Sequence, residues 1–172
     1  MKVTKCLTAA ALLLPIITKA AYPVFSAPAP KSTTKTPAKK AITRGEIVAL
    51  KTAMEKATRK RDVNGIVARL APNAVVKLTI QNYGTFNWNR AQYKAYLEQT
   101  FPMIEKYQYK SSNTRITIAP DGQSAHVTAT IHETVQMNGA TIRGVTNEAV
   151  TLQIQGGRTV VTSVTGVARM TH

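Results

Sequence analysis

The chain has 172 residues, 44% of them apolar, which is enough for one domain with a sizeable core and too few for two comfortable ones. Its formal net charge is +15, and its single cysteine, Cys6, lies near the N-terminus. Removal of a leader that contains Cys6 would exclude disulfides, thiolate metal sites and a cysteine nucleophile, so that the fold depends on its core.

The first 26 residues have the pattern of a secretory signal peptide. Lys2 and Lys5 are followed by the apolar stretch "CLTAAALLLPII" and then by small residues. The apolar run is about 12 residues long, whereas a membrane-spanning helix needs roughly 20, so no permanent anchor is expected. We place cleavage after Ser26. Export without disulfides is typical of a bacterial periplasm or medium, which is the expected location.

Residues 27–41 are rich in Pro, Ala, Thr and Lys, a composition that cannot repay the entropy of ordering. We predict a disordered basic linker here, followed by one folded domain over 42–172. The linker either tethers the domain to an anionic envelope surface or is a solvated spacer. Nucleic acid is not an expected partner, because no motif combines aromatic and basic residues.

The folded part begins with a clear helix signal. Thr43 and Glu46 have the spacing of a capping box, and the pattern predicts a helix over 44–61. Its predicted apolar face consists of Ile47, Leu50, Met54 and Ala57. Asp62 is a second N-cap for a short helix over 63–70, which Pro72 ends.

The remaining chain is predicted to be mostly β. A strand over 73–80 is followed by "QNYGTFNW" as a loop or short hairpin, and the Asn89 and Gln92 spacing begins a third helix that ends near Phe101. Turn signals at Asp121-Gly122, Asn138-Gly139 and Gly156-Gly157 separate four further strands. These strands are predicted over 107–118, 124–137, 140–155 and 159–170.

The Asn138-Gly139 turn fixes the register of its hairpin. A two-residue turn pairs Glu133 with Gly144 and Glu148 with Ala129, which places both glutamates on one face of the sheet and Arg143 on the other. The Asp121-Gly122 turn, extended in the same way, pairs Lys110 with Glu133. Lys110 is therefore the expected structural partner of Glu133. Glu148 has no such partner and would either reach a helix-three tyrosine or line a polar pocket.

The order of elements is that of an α+β fold with helices gathered on one face of a curved sheet. The run "EIVALKTAMEKATRKRDVNGIVARLAPNAVVKLTI", the helix "NRAQYKAYLEQTF" and the long meander resemble the nuclear transport factor 2-like superfamily, which includes SnoaL-like polyketide cyclases and ketosteroid isomerases. The resemblance implies a cone-shaped antiparallel sheet wrapped around three N-terminal helices, with an apolar pocket at its open end and frequent homodimers.

The resemblance brings no recognisable catalytic set. Ketosteroid isomerases use a carboxylate base near the first strand, and "AVVKLTIQNY" contains no acid. An acid-arginine-acid array, as in epoxide hydrolases of the superfamily, would need Glu133, Arg143 and Glu148 on one face, and the predicted register separates Arg143 from the acids. Glu148 alone is left as a catalytic candidate. The pocket-lining candidates are Tyr83, Phe86, Trp88, Tyr93, Tyr96 and Glu133, whose aromatic members could equally fill the core.

Three functions follow as hypotheses. The first is a small domain that binds a small apolar molecule without catalysis, the second is an isomerase or cyclase that uses Glu148 with a tyrosine, and the third is a dimerisation or interaction module. His126 and His132 are about 20 Å apart along one strand, so no metal site is predicted, and no cofactor is expected.

Overall fold

The computed structural model describes residues 40–171. Three helices, α1 (Arg44–Lys60), α2 (Val63–Val67) and α3 (Arg90–Thr100), accompany six strands. The predicted signal peptide, and the predicted linker up to residue 39, lie outside the described residues. No helix within 40–171 is long and apolar enough to cross a membrane. The strands are β1 (Leu70–Ile80), β2 (Gly84–Asn89), β3 (Lys106–Ile118), β4 (Ser124–Met137), β5 (Ala140–Gln155) and β6 (Arg158–Thr171).

The helix starts are those that the sequence predicts. Both capping boxes are formed: the Glu46 N–H donates to Thr43 Oγ1 over 3.2 Å, and the Gln92 N–H donates to Asn89 Oδ1 over 2.9 Å. The predicted end of the second helix is wrong. α2 stops at Val67, and Leu70 already pairs with Val161 at the start of β1, because burying Leu70 against β6 outweighs one more helical turn.

The six strands form one sheet in the order β2-β1-β6-β5-β4-β3. The fold is the predicted α+β class, with the helices packed on one side of a curved, unclosed sheet. The sheet is antiparallel, as predicted, except for one pair: β1 and β6 run parallel. No hairpin constrains this pair, because the rest of the domain lies between them in the chain. α3 lies between β2 and β3 rather than N-terminal to the sheet.

The core lies between α1 and the sheet. Ile47 of α1, Leu152 of β5 and Val161 of β6 are its largest fully buried side chains. We call the helix-facing side of the sheet the inner face and the opposite side the outer face. Val127 and Ile131 of β4 are buried on the inner face, and side chains alternate along the strand.

The chain enters the domain across the β3-β4 turn. The Ile42 N–H donates to the Gly122 carbonyl over 2.7 Å, and Gln123 Nε2 donates to the Lys40 carbonyl over 2.8 Å. Gly122 has φ +65°, and a Cβ there would lie 2.7 Å from Ala41 Cβ. Lys40 and Ala41, which the sequence assigns to the linker, therefore pack against the domain.

Candidate functional site

The two glutamates lie on the inner face, as the Asn138-Gly139 register predicts. Glu133 pairs with Gly144, and Glu148 pairs with Ala129 across β4 and β5. On its other side Glu148 pairs with Gly166 of β6. The predicted register of this hairpin is confirmed, and Arg143 is exposed on the outer face, away from both acids. An acid-arginine-acid array is therefore not formed by these residues.

The predicted partner of Glu133 is wrong. The β3-β4 register shifts by one residue between Ser112 and Arg115, where Asn113 adopts the left-handed φ of 52°, so Lys110 pairs with His132 and is exposed. The bulge adds one residue to β3, and each residue beyond it changes face. Tyr109 takes the position opposite Glu133 instead.

Glu133 is held by a tyrosine on the same inner face. The Tyr107 hydroxyl donates a hydrogen bond to Glu133 Oε1. Burial raises the pKa of Glu133 above its usual value, and the hydrogen bond from Tyr107 only partly offsets this effect. Burial, followed by the charge of Glu133, raises the pKa of Tyr107, so that its hydroxyl stays protonated and remains a donor.

Glu148 is the other inner-face acid and has a different environment. Among the described residues no side chain or backbone group hydrogen-bonds its carboxyl group. Burial raises its pKa to about 7, the charge of Glu133 adds to this rise, and the ammonium of Lys51 opposes it. Near neutral pH both protonation states of Glu148 are therefore populated.

Tyr93 lies within electrostatic range of this acid. Burial raises the pKa of Tyr93, and the negative charge of Glu148 is the next largest cause. Tyr109 behaves in the same way, with burial first and Glu148 second. Both hydroxyls stay protonated at physiological pH and can donate hydrogen bonds to an oxygen bound near Glu148.

Most of the predicted pocket aromatics form one stack between β2 and α3. The Trp88 ring lies 4.8 Å from Tyr96, 5.6 Å from Phe86 and 6.0 Å from Tyr93, between ring centroids. Trp88 and Tyr93 also pack against the core. Tyr83 is separate, because it lies in the β1-β2 turn and is 45% exposed.

Sequence reasoning missed a second polar group, on the α1 side of the inner face. Glu55 forms an ion pair with Lys51, accepts a hydrogen bond from Ser111, and lies 3.2 Å from an Arg59 nitrogen. Burial alone would raise the pKa of Glu55, but the hydrogen bonds from Lys51 and Ser111 and the two positive charges lower it. The four-residue spacing of Lys51 and Glu55 on one helix was the available signal.

Sequence reasoning also missed the β3 tyrosines, because the bulge exchanges the faces of this strand. The β3 tyrosines are Tyr107 and Tyr109, and Arg59 packs against Tyr109. The guanidinium carbon of Arg59 lies 5.8 Å from the Tyr109 ring centroid, and its Nε donates to the Tyr109 carbonyl over 3.2 Å. The ring centroid of Tyr107 lies 6.5 Å from the ring centroids of both Tyr109 and Phe101. The inner face is therefore more aromatic than predicted.

The free space beside the two acids differs. A Cβ on Gly144, opposite Glu133, would meet no atom closer than the Arg169 carbonyl oxygen at 3.9 Å. A Cβ on Gly166, beside Glu148, would lie 3.0 Å from both Leu78 and Thr146 side chains. Room on the inner face is thus found next to Glu133.

Two depressions on the surface of the domain have volumes of about 380 Å³ and 220 Å³. Their linings are mainly outer-face residues of β3 to β6, and neither includes the stacked aromatics. Glu148 borders the larger depression because it lies in β5 between Asn147 and Ala149. The side chains of these two neighbours lie on the outer face and line the depression. No described group of three or more His, Cys, Asp or Glu side chains is placed to hold a metal ion.

The sheet order, the helices on one side and the acid-lined inner face can be compared with known proteins. No protein-family model matches the sequence, and no curated protein matches it. A solved NTF2-like protein of unknown function from Pseudomonas putida KT2440 superposes with a TM-score of 0.61, at 22% identity, over 74% of this chain and 89% of that chain. This chain has the nuclear transport factor 2-like fold.

Two further structures of this fold are of proteins named for an activity. Hexachlorocyclohexane dehydrochlorinase LinA-type3 from Novosphingobium barchaimii LL02 has a TM-score of 0.60 at 13% identity, over 75% of this chain and 86% of its own. A protein provisionally named a scytalone dehydratase, from Novosphingobium aromaticivorans DSM 12444, has a TM-score of 0.58 at 15% identity, over 74% and 83%. At these identities the likeness establishes the fold that the sequence resemblance implied, and no activity.

Proposed function

We propose that the domain binds a small, mainly apolar molecule on the inner face and that Glu148 is its polar anchor. The observation that carries this proposal is a carboxyl group with a raised pKa that lacks a hydrogen-bond partner among the described residues. The Glu148 side chain is partly buried, so a ligand that hydrogen-bonds its carboxyl group would replace water there, with a net gain of about 0.5–1.5 kcal/mol.

The surroundings indicate what kind of ligand would fit. Tyr93, Tyr107 and Tyr109 provide aromatic walls with protonated hydroxyl groups, and Gly144 leaves space beside Glu133. A flat molecule with one carbonyl or hydroxyl group matches such a site, because its rings contact aromatic walls while its oxygen binds the acid.

Binding is testable with the chain's only tryptophan, Trp88, as the reporter, since it lies in the aromatic stack. Thermal shift and Trp88 fluorescence would be measured with a panel of hydroxylated aromatic ketones at pH 6 and pH 8. We expect tighter binding at pH 6, where neutral Glu148 donates a hydrogen bond, and no such pH difference in Glu148→Gln.

Glu98→Gln is the matched control, because Glu98 lies on the surface of α3 in an ion pair with Lys94. Gly144→Ala should weaken binding while the fold stays intact, since the added methyl group enters free space. Binding that is equal in wild type, Glu148→Gln and Gly144→Ala at both pH values would disprove an inner-face site.

Proton transfer is the second candidate function. An acid with a pKa of about 7 can accept and return a proton near neutral pH, and the Tyr93 and Tyr109 hydroxyls could stabilise a developing oxyanion. The names of two structural neighbours, a dehydrochlorinase and a dehydratase, denote eliminations, in which a proton is removed along with the leaving group.

Exchange of substrate protons in D₂O, followed by mass spectrometry, detects this chemistry without a full turnover. We expect Glu148→Gln to lower the exchange rate of an accepted ketone by about 100-fold or more, which is typical of losing a general base. An exchange rate that is unchanged in Glu148→Gln would exclude Glu148 as the base.

Export and attachment remain proposals that rest on the sequence. The N-terminal pattern supports cleavage after Ser26 and a periplasmic or extracellular location, with the basic linker available to an anionic envelope surface. Mass determination of the protein recovered from each cellular fraction tests this: an intact Met1 in the cytosol would refute export. A homodimer is a further proposal from the sequence, for which light scattering is the test.

A further inference from the structure

The outer face of the sheet carries no acidic side chain in any of its six described strands. The chain has eight acidic residues. Three lie on helices, three in the connections between elements, and two on the inner face, so all eight avoid the outer face. They are Glu46, Glu55 and Glu98, then Asp62, Glu105 and Asp121, then Glu133 and Glu148.

Four exposed cations frame the centre of this face. One row across β3 to β6 runs from Lys110 to Arg169, and the parallel row across β3 to β1 runs from Arg115 to Lys77. With strands about 4.8 Å apart, the two ends of the first row are about 14 Å apart and those of the second about 19 Å. None of the four makes a side-chain hydrogen bond or ion pair among residues 40–171.

The larger depression, of about 380 Å³, lies inside this frame. Its lining side chains end mostly in hydroxyl, amide and methyl groups, and none of them is aromatic. They are mainly those of Asn113, Thr128, Thr130, Asn147, Thr165 and Val167. We call the depression and the four framing cations the outer patch.

We propose that the outer patch binds an anionic polysaccharide. A polymer with regularly spaced acidic groups can meet several of the four cations at once, while its hydroxyl groups bind the threonine and asparagine side chains between them. The charge complementarity is one-sided, because no acidic side chain of the six described strands lies on this face; Glu148, which borders the depression, has its side chain on the inner face.

The same features disfavour the other occupants. Single-stranded nucleic acid binds largely by stacking on aromatic rings, and the lining of the depression has none. A membrane surface is met by an amphipathic helix or large apolar side chains, whereas the exposed apolar residues of this face are the valines Val75, Val145 and Val167. A second copy would bring four cations against four cations.

The test compares two charge-matched variants of the full-length chain. The patch variant carries Lys77→Gln, Lys110→Gln, Arg115→Gln and Arg169→Gln. The control variant carries Arg44→Gln, Lys56→Gln, Lys60→Gln and Arg158→Gln, which also remove four exposed cations without side-chain partners among the described residues. Circular dichroism verifies that both variants fold, and the N-terminal basic segment is the same in both.

Binding of a fluorescent polygalacturonate oligosaccharide would be measured at 50 and 300 mM NaCl. At 50 mM we expect the patch variant to bind at least about tenfold more weakly than wild type and the control variant to be within about threefold, with the difference reduced at 300 mM. Neutral dextran should bind none of the proteins.

Three results would overturn the proposal. An equal loss in both variants would mean that only total charge matters. Tighter, patch-dependent binding of duplex DNA or of phosphatidylglycerol vesicles would assign the patch to a different partner. A wild-type dimer that the patch mutations dissociate would assign it to a second copy of the chain.

Discussion

Glu55 and Glu148 are both carboxylic acids on the same side of the sheet, and they lie in opposite environments. Glu55 is paired with Lys51 and Ser111 and has a lowered pKa, whereas Glu148 has no hydrogen-bond partner among the described residues and a pKa raised to about 7. Burial acts in the same direction on both acids. Glu148 is also buried more deeply than Glu55, so deeper burial and the lack of hydrogen-bond partners among the described residues together leave Glu148 available, whereas its bonds make Glu55 structural.

The largest expected effect is on Glu148. Between pH 4.5 and about 7 folded Glu148 holds a proton that the unfolded chain has released, so the free energy of unfolding falls as pH rises through this range. Glu148→Gln removes this pH-dependent loss of stability. The free energy of unfolding of the variant should exceed that of wild type by about 3 kcal/mol at pH 8 and should be about equal to it at pH 4. Urea unfolding at both pH values checks this, with Glu98→Gln as control.

Glu55→Gln should behave in the opposite way. Its lowered pKa contributes stability above pH 4.5 that is lost as pH falls through the folded value. The variant should be less stable than wild type by about 2 kcal/mol at pH 7, since Glu55 is 14% exposed and its bonds are charge-assisted. The deficit should shrink in acid; a deficit that is the same at pH 3 and pH 7 would show that the charge of Glu55 is not its source.

Tyr107→Phe tests whether Glu133 lies between Glu55 and Glu148 in how far hydrogen bonding offsets the effect of burial on its pKa. Loss of the hydroxyl removes the described hydrogen bond to Glu133, so we expect a destabilisation of about 1 kcal/mol at pH 7 and a further rise in the pKa of Glu133. Carbon-13 NMR titration of the glutamate carboxyl groups measures that pKa directly. An unchanged Glu133 titration in the variant would contradict the bond.

The smallest effect is expected for Lys110→Glu. In the bulged register Lys110 is exposed on the outer face, so the change should alter stability by less than about 0.5 kcal/mol. If β3 had no bulge, residue 110 would lie opposite Glu133. The substituted glutamate would then join Glu133 and Glu148 on the inner face and destabilise the fold strongly. Thermal unfolding of Lys110→Glu beside Lys106→Glu distinguishes the two registers.

Much of the fold was predictable because its signals are local. Capping boxes, Gly-containing turns and β-branched runs gave the helices and strands, and Asn138-Gly139 gave the β4-β5 register residue by residue. The parallel β1-β6 pair was not predictable from local signals, because these strands meet across the length of the domain. The same holds for Leu70, whose burial against Val161 depends on that distant strand.

The candidate site was predictable only in part, because β3 contains one extra residue at its bulge. Glu133 and Glu148 were found because their hairpin is regular, whereas Tyr107 and Tyr109 were missed because β3 carries a bulge that no Gly or Pro marks. Asn113 is the residue that adopts the positive φ there, and asparagine tolerates this conformation without being specific for it. Glu55 was missed because its partner Ser111 lies on that same strand.

Because of the bulge, the inner face could change during evolution through a change in chain length. Deletion of the single codon for Asn113 would bring the first half of β3 into the regular register, exchanging Tyr109 for Lys110 opposite Glu133 without altering any other residue. The inner face would gain an ammonium group and lose its tyrosine row in one genetic step. In this strand the chemistry of the face is encoded by chain length as much as by side-chain identity, so insertions and deletions near residue 113 would be a short route to a different ligand.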